Sequence, residues 1–315
     1  MDKRQLGRSS LQVAPLAFGG NVFGWTVDEK TAFRLLDGFV ASGYNLIDTA
    51  DSYSRWAPGN KGGESETIIG NWMKQRRNRN RVLVATKVGS DMGQGKRDIS
   101  KKYILGAAEN SLRRLQTDYI DLYQTHWDVE AVQVEETLEA YAQLVKEGKV
   151  KWIGASNISV ERLKASLEAS DKSGYPRYQS LQPEYNLYDR EKFEKYYEKN
   201  CLEENLGVVC YYSLASGFLT GKYRSETGLN NSARGNGIKK YLNERGFRIL
   251  AALDKVAEQY ATTPASVAIA WLQSRQSVTA PIASATSITQ LDSLLKAAEI
   301  KLDDEAISVL NEASK

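Results

Sequence analysis

The chain alternates short β-branched or aliphatic runs with longer amphipathic stretches along most of its length. This pattern is typical of βαβ units, in which helices connect parallel strands. The predicted strands are residues 16–18, 46–48, 82–86, 120–124, 152–155, 179–181, 208–211 and 279–282. Eight such units without a Pro/Ser-rich linker predict an α/β protein, a single (β/α)₈ TIM barrel spanning residues 1–315. Residues 6–13 predict a short N-terminal β-hairpin that plugs the bottom of this barrel.

Several helix ends carry local signals. Thr26 and Glu29 have the spacing of a capping box before an apolar stripe. Ser100 is a candidate N-cap, and Thr263 followed by Pro264 places a capping hydroxyl before a proline at the first helical position. The rival architecture, a doubly wound sheet that binds a dinucleotide, requires a G-x-G-x-x-G turn after its first strand. The sequence lacks that turn, so it favours the barrel.

Composition excludes several classes of function. The 42 Lys and Arg against 39 Asp and Glu give a net charge of +3, which is too small to indicate a nucleic-acid partner. No apolar run approaches the roughly 18 residues of a membrane span, and no signal peptide is recognisable, so we expect a cytoplasmic protein without a membrane partner. Cys201, Cys210 and the single histidine, His126, cannot form the usual zinc site, and we expect no metal.

A polar side chain, or an aromatic one with a polar tip, follows almost every predicted strand. In a barrel these positions gather at the C-terminal face, where active sites form. One such residue alone is more often a paired or solvated group, but so many together at one face indicate a site. They are Asp48 with Tyr53, Lys87, His126, Ser156 with Asn157, Gln182, Tyr211 and Ser284.

Four of these residues suit proton transfer to an oxygen. A Lys87 ammonium beside Tyr53 would lower the pKa of the phenol, and Asp48 would keep the lysine charged. His126 could hydrogen-bond the oxygen that receives the proton. Such an acid suits an alkoxide formed by hydride delivery to a carbonyl, and the hydride must come from a cofactor. Amide side chains such as Asn157 could hold a nicotinamide carboxamide.

The sequence resembles the aldo-keto reductase family over nearly its whole length. The segments that carry the resemblance are 43–53 (GYNLIDTADSY), 63–66 (GESE) with Gly70, 109–122 leading to His126, 149–157 (KVKWIGASN) and 216–222 (SGFLTGK). The resemblance implies an NADPH-dependent enzyme that reduces an aldehyde or ketone, with Tyr53 as the acid and Asp48, Lys87 and His126 completing a tetrad. It also implies that the cofactor is held by Ser156, Asn157, Gln182, Tyr211, Leu219, Gly221, Lys222, Ser284, Thr286 and Gln290.

The sequence departs from the family pattern after the last strand. Thr286 stands where the family often has an arginine for the 2′-phosphate of NADPH. Hydroxyl groups at a helix N-terminus bind phosphate without the bidentate charge of arginine. We therefore expect NADPH to be preferred with modest selectivity, so that NADH can also be used. Lys222, Arg224 and Arg234 are candidates for the missing positive charge.

Three tryptophans indicate the nature of the substrate. Trp25, Trp56 and Trp127 follow strands near the expected site, so they predict an aromatic wall around a substrate with an apolar body. Two other functions stay open. The fold also occurs in β subunits of voltage-gated potassium channels, which makes a nicotinamide-binding regulatory protein with little turnover the main alternative. The second is an aldolase with Lys87 as its Schiff-base amine.

Overall fold

The computed structural model describes residues 2–226, 229 and 235–315. A two-stranded antiparallel hairpin comprises β1 (Arg4–Gln5) and β2 (Gln12–Val13). The parallel strands that follow are β3 (Ala17–Gly19), β4 (Leu46–Asp48), β5 (Leu83–Val88), β6 (Ile120–Thr125), β7 (Val150–Ser156), β8 (Tyr178–Gln182), β9 (Gly207–Val208) and β10 (Ile282–Ala283). Their order in the sheet is β10-β3-β4-β5-β6-β7-β8-β9. Each strand therefore lies beside its neighbour in the sequence, as a barrel requires.

Backbone hydrogen bonds between the segments around β9 and β10 close the barrel. The Ile282 amide donates to the Cys210 carbonyl at 2.8 Å, and the Thr279 amide donates to the Val208 carbonyl at 2.8 Å. The predicted (β/α)₈ barrel is confirmed. The predicted strand 208–211 is shorter in the structure, because Pro183 beside it has no N–H to donate and only its carbonyl bonds, to the Tyr211 amide.

The helices lie between the strands and pack around the barrel. Those described are α1 (Glu29–Ala41), α2 (Glu64–Arg76), α3 (Lys101–Leu115), α4 (Val134–Lys146), α5 (Val160–Ser173), α6 (Glu191–Tyr196), α7 (Glu198–Glu203), α8 (Gly235–Ile238), α9 (Glu244–Gln259), α10 (Pro264–Gln273), α11 (Ile288–Lys296) and α12 (Asp304–Ala313). Ser100 and Thr263 cap α3 and α10 as predicted. The capping box at Thr26 is wrong, because Asp28 caps α1 and accepts from the Thr31 amide.

The hairpin covers the N-terminal end of the barrel, as predicted. Leu6, between its strands, is fully buried and packs with the interior side chains of the barrel. Gly7 lies against the backbone of β8, where a Cβ atom would come within 2.2 Å of the Gln179 carbonyl oxygen. Its φ of +59° is a second reason for glycine at this turn. The hairpin therefore packs under the barrel at the end opposite the C-terminal ends of the strands.

Two further expectations concern the cysteines and the membrane. Cys201 and Cys210 are free and buried, which agrees with their expected use as small apolar side chains. Across the described ranges, every helix is too short or too polar to cross a bilayer.

Candidate active site

A cavity of about 1070 Å³ opens at the C-terminal ends of the barrel strands. Asp48, Tyr53 and His126 line its inner part. From there it runs past residues 211–223 to the start of α11. Such a volume lies at the upper end of ligand pockets, and it suits a large cofactor together with a small substrate.

Lys87 organises the inner end of this cavity. Its side chain is fully buried, and its Nζ donates to Asp48 Oδ2 at 2.8 Å, to the Tyr53 hydroxyl at 2.9 Å and to the Thr49 carbonyl at 2.7 Å. The Tyr53 hydroxyl in turn donates to Asp48 Oδ2 at 3.2 Å. An ammonium has three donors, so each N–H of Lys87 has a partner. The strand ends bring together the acid, the lysine and the carboxylate that the sequence predicted.

The electrostatics of Tyr53 differ from the expectation. Two effects raise the pKa of Tyr53 well above its usual value. The larger is the removal of the phenol from water, and the second is the negative charge of Asp48. The expectation that Lys87 gives the phenol a lowered pKa is therefore wrong for this arrangement. Burial also lowers the pKa of Lys87, although Asp48 opposes that effect. Tyr53 consequently holds its proton at neutral pH, which is the form that a general acid needs.

His126 is neutral in this environment. Burial, with Lys87 and Arg97 as further causes, lowers the pKa of the imidazole well below its usual value. Its Nδ1 lies 3.0 Å from the Ser90 hydroxyl, and its ring centroid lies 6.0 Å from that of Tyr53. If the hydroxyl donates to Nδ1, the other ring nitrogen carries the proton and can donate it to a ligand. Ser90 was missed by the sequence reasoning.

The second oxygen of Asp48 is held by two glutamines. Gln182 Nε2 donates to Asp48 Oδ1 at 2.9 Å, and Gln124 Nε2 lies 3.5 Å from the same oxygen. Sequence reasoning missed Gln124, which is fully buried. The signal that could have found it is register, because Gln124 is the partner of Lys87 across the β5 and β6 pair.

The residues predicted to hold a carboxamide form one hydrogen-bonded group. Asn157 Nδ2 donates to the His126 carbonyl at 2.8 Å, and its Oδ1 accepts from the Tyr211 hydroxyl at 3.0 Å. Ser156 Oγ donates to the Gln182 carbonyl at 2.7 Å. Asn157 has a left-handed φ of +45°, a conformation that asparagine tolerates. The side chains that line the cavity here are Ser156, Asn157, Gln182 and Tyr211.

The far end of the cavity is rich in hydroxyl groups. Its polar lining there is Thr263, Ser284, Thr286, Thr289, Gln290 and Ser293. Gln290 Oε1 accepts from both the amide and the hydroxyl of Thr286, at 2.9 and 3.1 Å. Thr263, Thr289 and Ser293 were not identified from the sequence, although the first was recognised as a helix cap.

The three basic candidates have different surroundings. Lys222 lines the cavity and is the one lysine or arginine among the described lining residues. Arg224 makes a bidentate pair with Asp254, at 2.8 and 2.9 Å, so its guanidinium is already engaged. Arg234 lies outside the described residues. Leu219 is fully buried in the core and Gly221 does not line the cavity, whereas their neighbour Thr220 does.

Two of the three predicted tryptophans line the cavity. Trp56 and Trp127 do so, and Trp127 stacks beside His126 with ring centroids 6.0 Å apart. Trp25 instead packs edge-on against Trp56 at 5.7 Å. Trp56 is half exposed and lies 6.1 Å from the Tyr53 ring. An aromatic surface therefore lies beside the Tyr53 and His126 rings.

The donor set of the cavity fits a nicotinamide dinucleotide. Amide and hydroxyl groups lie beside the proton-donating tyrosine, Tyr211 offers a ring face, and Lys222 with the hydroxyl groups suits phosphate. The fold and the site together define an oxidoreductase built on a (β/α)₈ barrel.

Comparison with known proteins gives the family. The model of the aldo/keto reductase family matches residues 15–315, and the chain belongs to this family, whose members generally bind nicotinamide cofactors. It is 35% identical to the uncharacterized oxidoreductase YrpG of Bacillus subtilis, over 99% of this chain and 95% of the relative. It is 30% identical to the protein tas of Escherichia coli, over 98% and 96% of the two chains. It is also 29% identical to a probable voltage-gated potassium channel subunit beta of Arabidopsis thaliana, over 95% and 92%.

Proposed function

We propose that this protein is an NADPH-dependent reductase of aldehydes or ketones, built as one barrel domain, with Tyr53 as its general acid. The observation that carries the proposal is the position of Lys87 Nζ, within 3 Å of both the Tyr53 hydroxyl and the Asp48 carboxylate. A buried lysine that contacts both a carboxylate and the hydroxyl of a tyrosine that lines a ligand cavity is typical of functional sites.

When bound, NADPH supplies the hydride that reduces the carbonyl carbon. Tyr53 donates its proton to the carbonyl oxygen as negative charge develops there. The phenolate that remains is stabilised by the Lys87 ammonium at 2.9 Å, and Asp48 at 2.8 Å keeps that ammonium charged. Neutral His126 donates a hydrogen bond to the same carbonyl oxygen and fixes its direction. Lys87 therefore acts on the phenolate that forms as the proton leaves. This role is compatible with the raised pKa of Tyr53, which keeps the phenol protonated until a substrate accepts the proton.

The cofactor contacts follow the lining of the cavity. Ser156, Asn157 and Gln182 hold the carboxamide and Tyr211 stacks on the ring, while residues near Lys222 approach the pyrophosphate. The hydroxyl groups of Ser284 and Thr286, with Gln290, receive the adenosine phosphate near the N-terminus of α11. Since arginine is lacking there, NADPH is preferred over NADH only modestly. Equal dissociation constants for the two cofactors, measured by quenching of tryptophan fluorescence, would refute this preference.

A second function has one observation in its favour, the similarity to the Arabidopsis channel subunit. A regulatory protein would bind NADPH and respond to it without appreciable turnover. The complete tetrad favours the reductase, because binding alone does not require a charged lysine behind the tyrosine. The aldolase alternative is disfavoured, because Tyr53 lines the cavity whereas Lys87 lies fully buried behind it, with all its donors engaged.

The test is NADPH oxidation with a panel of aromatic and aliphatic aldehydes and ketones. Wild type is compared with Tyr53→Phe and with Tyr196→Phe, a control that changes an exposed tyrosine on α6. We expect the first variant to lose nearly all activity while it still binds NADPH, and the control to keep it. NADPH binding by wild type without turnover on any substrate would support the regulatory function, and absence of binding would overturn both.

A further inference from the structure

His126 is the single histidine of the chain, and a serine side chain contacts its ring. Ser90 Oγ lies 3.0 Å from His126 Nδ1, and both residues line the active-site cavity. Nε2, on the other side of the ring, makes no hydrogen bond with a described residue, so it is available to a ligand in the cavity. A hydroxyl can either donate or accept, so the direction of the Ser90 contact decides which nitrogen of the neutral ring carries the proton.

A tight turn at the end of β5 brings Ser90 to the histidine. Gly89 follows the strand with a φ of +112°, and a Cβ atom there would come within 2.8 Å of the Ile99 side chain. Glycine adopts this backbone conformation without the steric cost that other residues have. The turn places Ser90 three residues after Lys87 and beside the end of β6, with only 8% of its surface exposed.

The backbone of His126 is held on both sides. Its amide donates to the Val88 carbonyl at 2.8 Å, and its carbonyl accepts from Asn157 Nδ2 at 2.8 Å. The imidazole stacks beside the Trp127 ring, and the Tyr53 ring meets it edge-on, each with 6.0 Å between the ring centroids. These contacts restrict rotation of the imidazole, so its two nitrogens keep their separate surroundings.

A hydroxyl orients this ring, and not a carboxylate. Among the described residues His126 forms no ion pair, and the charged groups that shift its pKa, Lys87 and Arg97, are both cations. Burial first, and these two cations second, lower the pKa of the imidazole well below its usual value. A carboxylate at Nδ1 would stabilise the imidazolium, whereas a hydroxyl holds the ring without adding a negative charge. The ring therefore has one proton, on one of its two nitrogens.

The hydrogen-bond partners of Ser90 favour it as the donor. Its hydroxyl has no acceptor other than His126 Nδ1 within the described ranges, whereas its backbone carbonyl accepts from Gln94 Nε2 at 3.2 Å. If Nδ1–H donated to Ser90 instead, the hydroxyl proton would lack a protein acceptor at a buried position, which is costly. With Ser90 as the donor, the hydroxyl and Nδ1 satisfy each other.

We propose that Ser90 is a positioning residue, whose hydroxyl donates to Nδ1 and holds His126 in the tautomer with its proton on Nε2. In this tautomer Nε2–H can donate to the carbonyl oxygen of the substrate as negative charge develops there. In the other tautomer the lone pair of Nε2 would face that oxygen and repel it. The catalytic part of this inference rests on the proposed carbonyl reduction, and the assignment of the tautomer does not.

The test is 15N NMR of the full-length, untagged protein labelled at histidine. Because His126 is the single histidine, both ring signals belong to it. At neutral pH we expect the shift of an unprotonated nitrogen at Nδ1 and that of a protonated nitrogen at Nε2. Ser90→Ala should move the two shifts toward each other, because the tautomers then exchange, and Ser90→Thr, which keeps the hydroxyl, should restore them. Ser173→Ala, at an exposed serine on α5, is the control and should leave both shifts unchanged.

The kinetic part of the test uses an aldehyde that the wild type reduces. Ser90→Ala should lower kcat by about two- to tenfold, which is the loss expected from one neutral hydrogen bond, and should leave the Kd of NADPH unchanged. Ser90→Thr should recover most of the lost rate. Expected NMR shifts combined with an unchanged kcat in Ser90→Ala would refute the catalytic part.

Three NMR results would overturn the proposal. A protonated Nδ1 in the wild type would show that Ser90 accepts, and intermediate shifts at both nitrogens would show that neither tautomer is held. Identical shifts in the wild type and Ser90→Ala would show that the hydroxyl does not set the tautomer. NMR requires no turnover, so a lack of reduction across the substrate panel would refute the proposed function while the tautomer is still decided by the spectra.

Discussion

Replacing Asp51 by asparagine should stabilise the folded protein, and the gain should grow with pH. The pKa of this carboxyl is raised from 3.8 to about 8, chiefly by burial. A carboxyl whose pKa is raised on folding binds its proton more tightly in the folded state, so stability is lost as pH rises from the unfolded pKa to the folded one. At 1.36 kcal/mol per pKa unit, the loss reaches about 2 kcal/mol at pH 5 and about 5 kcal/mol at pH 8.

The asparagine variant does not titrate, so its advantage over wild type should grow by about 3 to 4 kcal/mol between pH 5 and pH 8. The measurement is urea unfolding followed by tryptophan fluorescence at several pH values in that interval. Any constant effect of the amide on packing cancels in the difference between pH values. Asp171→Asn, at an exposed carboxylate, is the control and should show no such trend. A stability difference between Asp51→Asn and wild type that does not change with pH would show that folding does not raise the pKa of Asp51.

Three further predictions concern the proposed activity. Lys87→Met should lower kcat by about a hundredfold or more and leave the dissociation constant of NADPH nearly unchanged, because Lys87 does not line the cavity; steady-state rates and fluorescence quenching check both. Trp56→Ala should raise KM for aromatic aldehydes while kcat falls less, and an unchanged KM would remove Trp56 from the substrate pocket. Thr286→Arg should tighten NADPH binding by about tenfold without tightening that of NADH, which paired titrations would show.

The architecture could be predicted because its signals are local. Strand 46–48 has the predicted bounds, and most others differ by a few residues at their ends. The largest differences are at 208–211 and 279–282, each of which overlaps its observed strand by one residue, and at the first the neighbouring Pro183 interrupts the hydrogen-bond ladder. A proline acts on the strand beside it, and that neighbour is known only once the sheet is assembled. The cap of α1 was misplaced by two residues, since Asp28 and Thr26 both have the chemistry of a cap.

The positions of site residues at strand ends could be predicted from the sequence. Properties that depend on burial, such as shifted pKa values, could not. Asp48, Lys87 and His126 follow strands, so the barrel alone brings them to one face. Gln124 lies inside β6 and becomes visible only through its register with Lys87. The raised pKa of Tyr53 depends on how much water the packed site excludes, and sequence spacing carries no measure of that. The raised pKa of Asp51 belongs to the same class of property, because it too results chiefly from burial.

In the proposed reaction, hydride and proton meet at one carbonyl group beside Tyr53. The most direct measurement uses NADPH deuterated at C4 of the nicotinamide, in each of its two stereoisomers, with an aldehyde that the protein turns over. We expect the alcohol to carry deuterium on its carbinol carbon with one isomer, and we expect Tyr53→Phe to abolish formation of the alcohol. Alcohol without deuterium from either isomer, or product formed equally well by Tyr53→Phe, would contradict this mechanism.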